Sequence, residues 1–384
     1  MSQVRPTTAH IDLDALRGNL RVLRARVPPS AGLLCAVKGD AYGHGAAACA
    51  LALEEAGADW FGVALVEEGR LLREAGVSRP VLVNGGVGAD GAEIAVHHRL
   101  TPVLSDLDDA VRMDAAAARR REPYGVHLKV DTGMGRLGVP LHLWTAFLDR
   151  LTALRWIRVD GVLSHLSDAD GLSEEARVRT AEQGRRFLSA VQEARSRGFR
   201  PTLLHLSNSG AVLLHPRFAF DLVRPGLLNY GYSPTGEAPP AGLRPVMSVT
   251  TRVLLVRDLP AGVGISYGRT WSTPRPSRIA TLPVGYADGL PRALSDRGQV
   301  LIHGHRAPIR GRVCMDLCLV DVTDIPAPVA AGDPVVLLGE QGGQRISADE
   351  LAAWAGTISY EILTGFSARV PRRFTGLRQS AMAP

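Results

Sequence analysis

Lysine is almost missing from this chain: of 44 basic residues only Lys38 and Lys129 are lysines, and the others are arginines. Arginine can replace lysine as a solvated cation, but a guanidinium stays protonated and cannot act as an amine nucleophile or form a Schiff base. A chain that uses arginine elsewhere keeps lysine where amine chemistry matters, and this singles out those two positions. Cysteine is also scarce. Cys35, Cys49, Cys314 and Cys318 lie in apolar surroundings and are too few for a disulfide framework, which agrees with a reducing compartment. Cys314 and Cys318 lie near His303 and His305, but a spacing of four inside a strand-like run matches no zinc pattern, so no metal site is expected. No apolar run approaches membrane-spanning length, and the start Met-Ser-Gln-Val-Arg-Pro lacks the apolar core of a secretory signal, so a soluble cytoplasmic protein is expected. The formal charge of +6 and the pI near 9.4 come from scattered arginines with no run longer than Arg119–Arg121. That pattern does not point to nucleic acid.

What is present is an alternation. Eight apolar or β-branched runs recur at Leu33–Lys38, Trp60–Leu65, Val81–Asn84, Pro102–Ser105, Val126–Asp131, Val159–His165, Leu203–Ser207 and Phe220–Arg224. Between several of them, segments such as 46–56, 67–75, 141–154 and 174–197 carry helix formers with apolar residues at helical spacing. Repeated βα units predict a parallel sheet, and eight of them favour closure into a barrel. No Gly-x-Gly-x-x-Gly follows the first run, which argues against a dinucleotide fold. From about residue 236 the helical alternation stops. Pro234, Pro239, Pro240 and Pro245 precede strand-like runs at 248–258, 277–283, 299–302, 314–322 and 334–339. Ser347 and Glu350 have the spacing of a capping box opening a helix at 347–355. The expected fold is α/β: a (β/α)8 TIM-type barrel over residues 1–235, followed by a mostly β C-terminal domain over 236–384.

In such a barrel, chemistry gathers at the C-terminal ends of the strands. Those ends carry Lys38, Lys129 with Asp131, His165, Asn208 with Ser209, and Arg224. Small, donor-rich turns follow the seventh and eighth runs, Asn208-Ser209-Gly210 and Arg224-Pro225-Gly226-Leu227, where barrels commonly hold a phosphate. A phosphate cradle and an isolated lysine on one rim suggest a phosphorylated aldehyde, and pyridoxal 5'-phosphate fits. Arg224 would face the ring nitrogen. Because arginine donates but does not give up its proton, it would keep that nitrogen unprotonated, which suits proton exchange at Cα.

Six blocks, in order over nearly the whole chain, resemble the signatures of alanine racemase: Ala36-Val-Lys-Gly-Asp-Ala-Tyr-Gly-His-Gly45, Lys129-Val-Asp-Thr-Gly-Met-Gly-Arg-Leu-Gly138, Asn208-Ser209, Val223-Arg224 with Gly226, Gly285-Tyr-Ala-Asp-Gly289 and Gly311-Arg-Val-Cys-Met-Asp316. The resemblance implies pyridoxal-phosphate-dependent interconversion of L- and D-alanine, supplying D-alanine for cell-wall synthesis, in a homodimer with shared active sites. It implies that Lys38 and Tyr267 are the two bases, on opposite faces of the cofactor, with Tyr267 reaching the partner subunit's site. It also implies cofactor contacts from Tyr42, His165, Asn208, Ser209, Arg224, Gly226, Leu227 and Tyr360, and substrate contacts from Arg136, Met315 and Asp316. Lys129 matches a position that some family members carbamylate, which would turn a cation into an anion able to hold Arg136. Gly39, Leu317 and Ala368 depart from the family's usual residues. Rival readings are a racemase of serine or another small amino acid, a decarboxylase of the same architecture, and a cofactor-binding regulatory protein. Arg224 argues against the decarboxylase, and the second domain with its Tyr267 argues against the regulatory protein.

Overall fold

The computed structural model describes residues 5–377; residues 1–4, part of the start discussed above, lie outside the described residues. Two compact units are present. One is made of Ala15–Ala41 with Ala46–Arg244, and the other joins the N-terminal segment through Asp14 to Tyr42–Gly45 and the chain from Pro245 onward.

The chain opens with β1 (Thr8–Asp12) and α1 (Leu13–Arg24), then enters the barrel at β2 (Gly32–Ala36). The short segment α2 (Lys38–Gly43) and the helix α3 (Ala46–Glu55) follow. Next come β3 (Trp60–Val63), α4 (Val66–Glu74), β4 (Val81–Val83), α5 (Gly91–His97), β5 (Thr101–Leu104) and α6 (Leu107–Arg120). The second half runs through β6 (Tyr124–Asp131), the two-residue β7 (Val139–Pro140), α7 (Leu141–Leu151), β8 (Ile157–Leu163), α8 (Glu174–Ser196), β9 (Leu203–His205), α9 (Ser209–Leu214) and β10 (Leu222–Val223). The parallel order is β10-β2-β3-β4-β5-β6-β8-β9, with β7 beside β6. Backbone bonds from Asp221 N to Leu204 O and from Arg224 N to Ser207 O, each 3.0 Å, bring the two ends together. This is the eight-stranded barrel the βα repeat predicts.

Inside it, Leu34, Leu82, Val103, Leu163 and Leu222 form one buried cluster, with Trp60 and Leu203 packed against it. Burying a side chain of this size contributes about 1.5–3 kcal/mol. Caps fix where helices start. Asp106 accepts the Asp109 amide at 2.8 Å to open α6, and Ser173 accepts the Ala176 amide at 3.2 Å to open α8.

The second unit is mostly β. Its larger sheet has the order β17-β16-β19-β11-β1-β21, with β20 beside β19. In chain order its strands are β11 (Met247–Arg252), β12 (Leu255–Leu259), β13 (Gly264–Ile265), β14 (Trp271–Ser272), β15 (Ser277–Leu282), β16 (Gln299–Ile302), β17 (His305–Pro308), β18 (Cys318–Asp321), β19 (Pro334–Gln341), β20 (Gln344–Ile346) and, after α10 (Ala348–Ala355) and α11 (Ser359–Gly365), β21 (Arg372–Thr375). A three-stranded sheet joins β12, β15 and β18.

Several boundaries differ from the sequence reading. Strand β1 pairs antiparallel with β11 and parallel with β21, and buries Ala9 and Ile11 completely. The first residues therefore group with the C-terminal unit, and the later division falls at Arg244/Pro245 rather than 235/236. The run 248–258 breaks into two strands in different sheets. The run 314–322 is a strand only from Cys318, because the Cys314 amide bonds to Leu317 O at 2.9 Å and leaves Met315, Asp316 and Leu317 exposed in a turn. Ser347 caps α10 by accepting the Glu350 amide at 3.1 Å, but the Glu350 carboxylate binds Arg306 at 2.6 Å in place of closing a capping box.

Candidate active site

Lys38 leaves β2 into a turn of unusual hand. Gly39, Asp40, Ala41, Tyr42 and Gly43 all have positive φ, from 53° to 81°, so α2 is a left-handed turn containing three non-glycine residues. Each such residue costs about 1–2 kcal/mol, and local bonds hold the conformation. Glu68 accepts the Gly39 amide at 2.7 Å, Asp40 accepts the Ala46 amide at 2.7 Å, and Ala41 N bonds to Val37 O at 2.9 Å. Lys38 is solvent-accessible but lies in a crowded rim. Desolvation, then the charge of Arg136, lowers its pKa; Glu68 opposes this and Arg224 adds to it. A lysine shifted that way keeps a larger fraction of neutral, nucleophilic amine.

Arg224, buried at the end of β10, has its guanidinium held on one side. Its Nη2 donates to Ser164 O at 2.8 Å and Leu206 O at 3.2 Å, and lies 3.4 Å from His165 Nδ1; its Nη1 lies 3.3 Å from His205 Nδ1. No bond to Nε is present among the described residues, and Nη1 has a single partner, so the Nε–H and the second N–H of Nη1 remain for a group at the rim. Either is the kind of donor an unprotonated ring nitrogen needs. Burial lowers the Arg224 pKa to about 10, and His165 is held well below the usual histidine range first by desolvation and then by Arg224.

Polar groups gather in the turns after β9 and β10. Asn208 caps α9 by accepting the Ala211 amide at 3.0 Å, and its Nδ2 donates to Leu166 O at 3.3 Å. Ser209 Oγ accepts the Gly226 amide at 2.8 Å, so its hydroxyl proton stays available for an oxyanion. Leu227 is fully buried behind the turn. These features fit a phosphate and an aldehyde-bearing ring.

Lys129, 5% exposed on β6, has its pKa lowered to about 8, first by desolvation and then by Arg224, Arg136 and Lys38. Asp131 opposes that shift, and its carboxylate accepts the amides of Gly133, Met134 and Gly135 at 2.8–2.9 Å, shaping the loop that carries the exposed Arg136.

In the other unit, Tyr42 and Tyr360 bring their rings to 5.9 Å. Tyr267 is 71% exposed. It follows Ser266, whose φ of 62° and ψ of −176° belong to a region that side-chain-bearing residues rarely enter. Ser266 Oγ donates to Arg312 O at 2.5 Å, which ties the Tyr267 turn to the turn bearing Met315 and Asp316. A Cβ on Gly311 would come within 2.7 Å of Ser266 Cβ, so glycine is required for that close approach. Asp316 pairs with Arg369 at 2.6 Å.

With this geometry in view, comparison with known proteins is decisive. The family description "Alanine racemase, N-terminal domain" matches residues 11–234, and "Alanine racemase, C-terminal domain" matches residues 246–374. The chain belongs to the alanine racemase family. The alanine racemase of Symbiobacterium thermophilum is 46% identical over 374 residues, covering 97% of this chain and 98% of that one. The structure of alanine racemase from Streptomyces lavendulae superposes with a TM-score of 0.94 at 36% identity and covers 100% of both chains. A Bartonella henselae alanine racemase structure described with covalently bound pyridoxal phosphate superposes with a TM-score of 0.85 at 30% identity, covering 96% of this chain and 99% of that one. The chain is thus an enzyme of the alanine racemase kind.

Sequence reasoning passed over several residues that build this alanine racemase rim. Gln183, buried on α8, accepts the Ser167 amide at 2.9 Å and donates to His165 O at 3.0 Å and Thr132 Oγ1 at 3.2 Å. His127 and His205 lie wholly inside the barrel. Their signal was present in the alternation of a strand: His127 shares a face with Lys129, and His205 with Ser207.

Proposed function

We propose that this enzyme interconverts L- and D-alanine with pyridoxal 5'-phosphate by a two-base mechanism, as a homodimer in which each barrel receives Tyr267 from its partner. The observation that carries this reading is the rim itself, where a lysine with a lowered pKa and an arginine whose Nε has no partner among the described residues share a barrel end with two donor-bearing turns. Bound pyridoxal phosphate would supply an aldehyde for covalent attachment and a conjugated ring that acidifies the Cα–H of a joined amino acid.

The chain's own groups supply the rest. Ser209, the Gly226–Leu227 turn, Asn208, Tyr42 and Tyr360 bind the phosphate end. Arg224, steadied by His165, would donate to the ring nitrogen without protonating it, which suits proton exchange at Cα. Lys38 takes or returns the Cα proton on one face, and Tyr267 does so on the other, because inversion requires an acid and a base on opposite sides. Arg136 would bind the substrate carboxylate, and the partner subunit's Met315 and the partner subunit's Asp316 would complete the substrate site. With its pKa lowered to about 8 among three cations, Lys129 has an enlarged neutral fraction suited to react with carbon dioxide, and the carbamate would balance that positive charge and hold Arg136. We place the enzyme in the cytoplasm, supplying D-alanine for the cell wall.

The test is chiral analysis of purified enzyme loaded with pyridoxal phosphate, given alanine, serine and a bulkier amino acid. Alanine should show by far the highest kcat/KM. Equal efficiency on serine would favour the broader racemase reading, and carbon dioxide release without inversion would favour a decarboxylase.

A further inference from the structure

Beneath Arg224 a line of hydrogen bonds continues into the barrel core. Arg224 Nη1 lies 3.3 Å from His205 Nδ1, and His205 Nε2 lies 2.9 Å from His127 Nδ1. Both imidazoles are fully buried, and their rings meet edge to face with centroids 5.0 Å apart. A guanidinium has no acceptor, so His205 Nδ1 must offer its lone pair to Arg224. The proton of a neutral His205 then sits on Nε2 and is donated to His127 Nδ1. His127 must in turn carry its proton on Nε2, which is buried and has no hydrogen-bond partner among the described residues. Reversing the line would set an N–H of His205 against an N–H of Arg224. The bonds therefore run one way only, from the rim inward.

The groups around the pair support that protonation. Desolvation leads in keeping both rings below the usual histidine range; Arg224 lowers both, Lys129 also lowers His205, and Asp160 opposes the shift at His127. The backbone makes room for the arrangement. Gly161 on β8 is the register partner of His127 on β6, and a Cβ there would lie 2.6 Å from His127 Nδ1. On its other side the His127 ring lies 5.5 Å from the Trp60 ring. A leucine pair would fill this apolar core without leaving a buried donor unpartnered, so two histidines here have a purpose beyond packing.

We propose that His205 and His127 are positioning residues for Arg224: locked in the Nε2–H tautomer, they hold one N–H of Nη1, and with Ser164 O and Leu206 O holding Nη2 they turn the guanidinium edge that bears Nε–H toward the rim. The line also contains no acid able to pass a proton upward, so Arg224 stays a donor that cannot protonate the cofactor ring. This inference rests on the proposed role of Arg224 toward pyridoxal phosphate, but its geometry can be tested without turnover.

The direct measurement is ¹⁵N NMR of the holoenzyme labelled at histidine, with His127 and His205 assigned by substitution. Both should be neutral with the proton on Nε2, and a scalar coupling should connect His205 Nε2 to His127 Nδ1. An imidazolium, or a proton on His205 Nδ1, overturns the proposal whatever the activity; correct tautomers in a protein that does not racemise alanine would count against the function and not against the line. Two substitutions separate positioning from packing. His205→Asn keeps an acceptor near the place of Nδ1, whereas His205→Gln keeps only the reach to His127. With melting temperatures matched, His205→Asn should stay within about threefold of the parent kcat, and His205→Gln should lose about tenfold in kcat with little change in KM and weaken cofactor binding. Equal losses in both variants would overturn the proposal.

Discussion

Ser209 Oγ accepts the Gly226 amide at 2.8 Å, joining the turn after β9 to the turn after β10. The bond sets the distance between the two turns before any anion arrives and orients the remaining hydroxyl proton. Ser209→Ala leaves the Gly226 amide without this partner and deletes a donor, each worth about 1 kcal/mol. Cofactor titration of the apoenzyme should therefore show affinity reduced by about tenfold or more. Unchanged affinity would remove Ser209 from the phosphate site.

Lys38→Ala should abolish racemisation in both directions and the covalent attachment of cofactor, read by mass spectrometry after borohydride reduction. The melting temperature should stay near that of the parent, because Lys38 is solvent-accessible and Glu68 holds the turn through the Gly39 amide. Reduced cofactor recovered on any other residue would contradict the assignment.

Tyr267→Phe should retain cofactor and lose racemisation, with a fall in kcat of about a hundredfold or more, the scale of a positioned acid or base. The turn that presents Tyr267 is independently held by Ser266 and Arg312, so the variant should fold normally. Undiminished turnover would remove the phenol from the mechanism.

Lys129 gives a pH signature. Its pKa is about 8 in the folded chain against an ordinary 10.5, so between these values the unfolded chain binds the extra proton. Stability contributed through Lys129 therefore rises with pH across that window and is lost as pH falls through about 8. In apoprotein freed of carbon dioxide, denaturant unfolding should show this rise, and Lys129→Met should flatten it. With bicarbonate present, carbamylation would remove the titrating amine and flatten the parent too. An equal slope in parent and variant would contradict a neutral-prone Lys129.

Much of this site was legible because rare residue types mark chemistry: two lysines among 44 basic residues led to Lys38 and Lys129. The barrel was legible because its strands are apolar runs separated by helices of clear period. The pairing of β1 with β11 and β21 was not, since strand partners far apart in sequence leave no periodic trace. The left-handed turn after Lys38 was also hidden, because Asp40, Ala41 and Tyr42 are not residues that announce positive φ as a glycine does. His127 and His205 were passed over because each sits alone in an apolar run, and only the closed barrel brings them within 2.9 Å.

The most direct test of two-base racemisation follows hydrogen at Cα. Holoenzyme incubated with L-alanine in deuterated water should yield D-alanine carrying deuterium at Cα, and the D-to-L direction should behave likewise. In Tyr267→Phe, inversion should vanish while slow exchange without inversion persists for one enantiomer, through Lys38. Inversion without deuterium incorporation, or no exchange from either enantiomer in fully loaded enzyme, would contradict the account.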